Sequence, residues 1–115
     1  MRRGDLYWID LDPTQGSEAN KVRPAVVVSN DAANRVAVNT GRGVITVVPV
    51  TSNTHRILPF QALLPADTCG LKGDSKAQAE QVRSLAIGRV RDHIGTLPED
   101  LLAQLDQALR LHLSL

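Results

Sequence analysis

The chain holds one cysteine, three aromatic residues and three histidines in 115 residues, and each scarcity excludes something. A lone Cys69 cannot form an intramolecular disulfide and suits a reducing cytoplasm. It lies in Asp-Thr-Cys-Gly with no companion at metal-binding spacing, so it reads as structural. With only Tyr7, Trp8 and Phe60 to supply rings, base-stacking platforms are few and an RNA-recognition module with paired aromatics is disfavoured. No run approaches the ~18 apolar residues of a membrane helix. The start Met-Arg-Arg-Gly-Asp has no signal-peptide hydrophobic region, so a soluble cytoplasmic protein is expected. Net charge is only +1, but residues 98–115 carry −2, which leaves +3 on residues 1–97. A mildly basic body fits a phosphate-bearing partner without demanding one.

Other chemistries find no support. His55, His93 and His112 sit in three unrelated contexts, and no spacing joins them into an acid–base pair or a zinc cluster. Gly41-Arg42-Gly43 is too short for a phosphate-cradling loop. Asp10 and Asp12 would share a strand face, but Pro13 turns the chain there, and a magnesium site needs further ligands. Hydride transfer, nucleotide hydrolysis and metal-assisted hydrolysis are therefore not indicated.

What is present is a single domain's worth of chain, 43% hydrophobic and built on Val, Leu, Ile and Ala. Residues 4–11 predict a strand closed by a turn at Asp12-Pro13, and 24–29 a strand buried on both faces and central to the sheet. Residues 30–43 read as a polar connection with room for disorder. A strand over 44–50 follows, where Pro49 implies an edge, a bulge or the strand's end, because proline cannot donate to a ladder. Another strand is expected over 58–64 and a turn-rich segment over 65–75. Local propensity predicts helix over 76–87. Thr96-Leu97-Pro98-Glu99 matches a capping box, and Leu101, Leu102, Leu105, Ala108, Leu109 and His112 recur at helical spacing behind it.

The stretch that bears chemistry is 16–30, where a small polar loop meets a valine strand at Arg23-Pro24. Proline disfavours an α-conformation in the residue before it, so Arg23 should be extended and directed. Thr51-Ser52-Asn53 closes another strand, and Gln81 with Arg83 lies in a third segment. If those strands are neighbours, a guanidinium and several hydroxyl and amide groups converge on one cleft. That set suits a phosphate and the extra negative charge of a pentacoordinate phosphorane. RNA would bring its own nucleophile, the 2′-OH. By spacing alone, the same residues read equally as scattered surface polar groups.

The ordered series Gly-Asp-Leu-Tyr-Trp-Ile-Asp-Leu-Asp-Pro, Gly16-Ser17-Glu18, Arg23-Pro24-Ala25-Val26-Val27-Val28-Ser29, Val47-Val48-Pro49-Val50-Thr51, Pro59-Phe60 and Glu80-Gln81-Val82-Arg83-Ser84 resembles the MazF/PemK (Kid) family of toxin endoribonucleases of type II toxin–antitoxin systems. The resemblance runs from Arg3 to the C-terminal helix. It implies a mainly β (α+β) fold, a small SH3-like β-barrel with a C-terminal α-helix and short additional helices, in one domain over 1–115. It further implies a homodimer that cleaves single-stranded RNA at a short sequence without a metal or other cofactor. The cut leaves a 2′,3′-cyclic phosphate or 3′-phosphate and a 5′-OH end. A cognate antitoxin is the implied protein partner.

The family's catalytic arginine falls on Arg23 and its threonine on Thr51. Ser17, Glu18, Asn20, Ser52, Asn53, Arg56, Gln81 and Arg83 fall near the RNA groove. The resemblance also makes 77–83 largely strand, against local propensity, while 31–43 and 54–57 match its pattern poorly. Because guanidinium does not readily lose a proton, charge stabilisation is the expected role of Arg23. The same small barrel serves toxins that bind DNA gyrase and cleave nothing, so a gyrase poison is the alternative function.

Overall fold

The computed structural model describes residues 1–11 and 22–115. The elements run β1 (Asp5–Asp10), β2 (Val22–Val27), α1 (Asp31–Thr40), β3 (Val44–Thr51), β4 (Gln61–Leu64), α2 (Ala66–Cys69), β5 (Ser75–Gln78), β6 (Arg83–Ala86), β7 (Val90–Thr96) and α3 (Glu99–Leu113). All strand pairs are antiparallel, in the order β4-β5-β3-β2-β1-β7, with β6 also on β3.

The valine run of β2 is buried on both faces because each face of the sheet has its own core. On one, Leu6, Val26, Val48, Val50 and Leu64 pack beneath Leu101, Leu105, Ala108 and Leu109 of α3. On the other, Ile9, Ala25, Val27, Ile45 and Val47 meet Leu85 and Ala37 of α1. Arg3 fastens the two ends of the chain: its Nη2 lies 2.8 Å from Asp106 Oδ1 and its Nε donates to the Val28 carbonyl.

Several expectations change. Residues 30–43 contain α1, whose start is capped by Asn30 Oδ1 accepting the Ala33 N–H at 2.8 Å. Its end is Gly41 in the left-handed region. The Asn and Asp residues taken for turn chemistry are helix-capping chemistry here. Asn34 is a fully buried amide that donates to the Ser29 carbonyl. Val36 and Val38 face outward, so no apolar stripe advertised the helix.

The capping box is not formed. Thr96 ends β7 and its hydroxyl donates to Asp5 Oδ1 at 2.8 Å, while α3 starts behind Pro98 with no side-chain cap. The apolar face of α3 is as expected, with His112 at its exposed margin.

Strand β7 has no counterpart in the sequence reading, because its polar residues Arg91, Asp92 and His93 face outward. β4 is shorter than the run over 58–64, since the Leu58 N–H is taken by Gln61 Oε1 in a turn. The helical propensity of 76–87 is overridden by strand pairing in β5 and β6. The expectation that 77–83 is largely strand is not met either, because a 3₁₀ turn at Ala79–Gln81 separates the two strands and leaves only 77, 78 and 83 of that stretch in them.

The most connected strand is β3 rather than β2, because it pairs with β2 along one edge and with β6 and then β5 along the other. Pro49 is buried in that strand between Val47, the last residue facing β6, and Val50, the first facing β5. The missing donor thus falls where β3 changes partner, so proline is tolerated inside the sheet.

Gly95→Ala would bring a Cβ to 2.5 Å from the Cys69 carbonyl oxygen. We expect it to cost about 1–3 kcal/mol, read as a lower urea midpoint; an unchanged midpoint would mean that the contact between α2 and β7 yields freely. Leu105→Ala, at the centre of the α3 interface, should cost about 2–5 kcal/mol. Cys69 is buried, and burial pushes its thiol up, aided by the charge of Asp100. Iodoacetamide should therefore label it only after unfolding at neutral pH, and rapid labelling of the folded protein would contradict that packing.

Candidate functional site

The β2–β3 ladder pairs Ala25 with Pro49, Val26 with Val48 and Val27 with Val47. Continuing that register by two residues sets Arg23 across from Thr51. Facing residues share a face of the sheet, with Cβ atoms ~4.5–5.5 Å apart where pairing is maintained. Both residues line a cavity of about 550 Å³ at this end of the ladder. Val22 and Pro24 flank Arg23 there, and Val50 and Ser52 flank Thr51, so residues of both strand faces contribute. The cavity therefore sits at the end of the ladder rather than on one side of it.

The far wall comes from the segment after α2 and from neighbouring strands: Leu71, Lys72, Gly73, Ser75 and Ile94, with Trp8 of β1. Two cations, Arg23 and Lys72, and three hydroxyls, Thr51, Ser52 and Ser75, face this space, and no carboxylate is among its described lining. Such a lining favours an anionic ligand and offers it hydrogen-bond donors.

Thr51 is half-buried and its Oγ1 accepts the Asn53 N–H at 3.2 Å. Asn53 Oδ1 in turn accepts the His55 N–H, so the polar run after β3 folds back on itself by local side-chain turns. Further along, Lys76 Nζ donates to the Arg56 carbonyl at 2.6 Å. Gln61 bridges Leu58 to Glu80: its Oε1 accepts the Leu58 N–H and its Nε2 donates to Glu80 Oε2 at 2.7 Å.

Of the residues singled out from sequence, Arg23, Thr51 and Ser52 come together at the cavity. Asn53 adjoins it through Thr51. Arg56 is exposed on the loop that follows. Gln81 is exposed at the end of the 3₁₀ turn and is not part of the cavity lining. Arg83 is also outside: it faces Val47 across the β3–β6 ladder, and its Nη1 donates to the Leu11 carbonyl at 3.1 Å. Ser17, Glu18 and Asn20 lie outside the described residues.

Sequence reasoning missed Trp8, Lys72 and Ser75 as lining residues. Trp8 carried a signal, being the chain's one tryptophan, and it remains 38% exposed on a strand. Lys72 and Ser75 carried none, because they reach the site only through the pairing of β5 with β3. The histidines stay apart: the His93 ring stands edge-on to Tyr7 with centroids 5.0 Å apart, and His112 neighbours Phe60. Among the described residues, no three His, Cys, Asp or Glu side chains cluster to hold a metal ion, and no helix is long and apolar enough to cross a membrane.

Known proteins bear directly on this geometry. Endoribonuclease MazF9 of Mycobacterium tuberculosis is 62% identical over 115 residues, spanning 100% of this chain and 98% of that protein. Endoribonuclease EndoA of Bacillus subtilis is 33% identical over 100% of this chain and 96% of its own length. A crystal structure of MazE-MazF from Deinococcus radiodurans superposes with a TM-score of 0.75 at 31% identity, covering 100% of this chain and 96% of that one. The family model for the PemK-like, MazF-like toxin of type II toxin–antitoxin systems matches residues 2–113, and the chain belongs to that family.

Proposed function

We propose that this chain is a sequence-specific endoribonuclease toxin that cuts single-stranded RNA, with Arg23 and Thr51 as its catalytic pair. The observation that carries the reading is the placement of these two residues on adjacent strands at one cavity whose described lining includes two cations and three hydroxyls and no carboxylate. Family membership supplies the activity class.

The RNA 2′-oxygen attacks the adjacent phosphorus, the P–O5′ bond breaks, the 2′-hydroxyl proton is lost and the departing 5′-oxygen gains one. The ends are a 2′,3′-cyclic phosphate and a 5′-OH. Arg23 answers the charge that builds on the phosphoryl oxygens, where a planar two-pronged donor matches two oxygens at once. Thr51 donates to the same group from the facing strand. Ser52 and Lys72 extend the donor set along the backbone, and Asn53, Arg56, Gln81 and the segment with Ser17, Glu18 and Asn20 contact flanking nucleotides. No metal enters the chemistry.

The same reading makes the sheet an SH3-like barrel and the working unit a cytoplasmic homodimer, which light scattering would report as twice the chain mass. A cognate antitoxin silences the protein by occupying the cleft; the Deinococcus relative was crystallised as MazE-MazF. Simultaneous tight binding of RNA and antitoxin would count against that.

Purified protein incubated with single-stranded RNA in EDTA should leave cyclic-phosphate or 3′-phosphate ends. Intact RNA together with gyrase-dependent DNA breaks would instead identify a gyrase poison. Arg23→Lys should retain RNA binding and lose turnover about 100-fold or more, as expected when a bidentate donor becomes a point charge. Near-normal turnover in that variant would remove the bidentate role. Thr51→Ala should lower cleavage about 100-fold with little change in binding; equal losses of both would leave Thr51 a binding residue.

A further inference from the structure

Among the described residues, Lys76 and Asp5 are the buried charged side chains, and Lys76 is 8% exposed within β5. Taking an ammonium out of water is costly unless it is paired, and an apolar residue of similar volume in such a place is often neutral or stabilising. A lysine kept there calls for a reason beyond packing. Its Nζ donates to the Arg56 carbonyl at 2.6 Å, which ties the loop after β3 down onto β5.

Its register is the second observation. Lys76 stands directly opposite Thr51 in the β3–β5 ladder and opposite Leu63 in the β4–β5 ladder. Facing residues rise from the same side of a sheet as nearest neighbours, so Lys76 adjoins Thr51 on one side. The continued β2–β3 register places Arg23 on the other. Thr51 is thereby flanked in register by Arg23 across one ladder and Lys76 across the next, while Ser75, beside Lys76, lines the cavity itself.

We propose that Lys76 is a positioning residue for RNA cleavage. Its ammonium anchors the loop through the Arg56 carbonyl and so sets the Thr51–Asn53 segment at the end of β3. The proposal rests on the endoribonuclease reading and adds to it a residue that does not touch the substrate.

The test compares the unmodified protein, Lys76→Met and Lys76→Arg on a single-stranded RNA that the unmodified protein cuts. We expect Lys76→Met to melt at or above the unmodified protein while kcat falls roughly 10- to 100-fold, with KM changed less than about threefold because the substrate contacts remain. Lys76→Arg, which keeps a charge and donors, should recover a substantial part of the loss. Three results would overturn the proposal: turnover by Lys76→Met within about twofold of the unmodified protein, no recovery by a folded Lys76→Arg, or melting temperature and turnover falling together in Lys76→Met, which would make the lysine structural only. Absence of any RNA cleavage by the unmodified protein would instead reject the endoribonuclease reading, and the role of Lys76 with it.

Discussion

The pairing of β3 is the constraint on which the rest depends. One strand serves β2 along its whole central run on one edge and divides the other between β6 and β5. Such an arrangement needs a position where no hydrogen bond is demanded, and Pro49 occupies it. Because β3 is shared, its last residue, Thr51, is held by pairing with Lys76, and continuing the register of the opposite ladder sets Arg23 across from it. A shift of one residue in either ladder would turn those side chains to the opposite face.

That rigidity meets a softer region at the same spot. Beyond Thr51, the chain runs through Ser52, Asn53 and His55, whose contacts are side-chain turns rather than ladder pairs. Lys76, Gln61 and Glu80 are the interior groups that restrain it. A cavity at a strand end with a braced loop beside it joins side chains held in fixed register to surfaces free to vary. On the other side of the sheet's origin, Arg83 and Arg89 donate to the Leu11 and Asp10 carbonyls, so two cations are spent holding the end of β1.

Much of the architecture was readable where burial leaves a simple pattern. The valine runs of β2 and β3 and the leucine face of α3 are core in the structure as in the sequence. Errors fell where one chemistry serves two structures. Asn30 and Asp31 look alike at a turn and at a helix start, and only the bond from the Ala33 N–H to Asn30 decides for the helix. Thr96 and Glu99 had the spacing of a cap, yet the buried Asp5 carboxylate takes the threonine hydroxyl. β7 was invisible because its outward face is charged, and 76–87 misled because Ala, Gln and Lys favour helices when nothing pairs with them.

Arg23-Pro24, the Thr51-Ser52-Asn53 run and the ordered motifs around them are local facts, and they were enough to identify the family and nominate the two central residues. Proline's restriction on Arg23 and the scarcity of other reactive groups act within a few residues, so no fold is needed to see them. Lys72 and Ser75 join the cavity lining, and Lys76 comes opposite Thr51, only through tertiary structure, since Lys76 in a run of helix formers has no partner until β5 pairs with β3. Pairing across long sequence separations sets register, and register decides which side chains share a face. A linear chain does not carry that information at any one position.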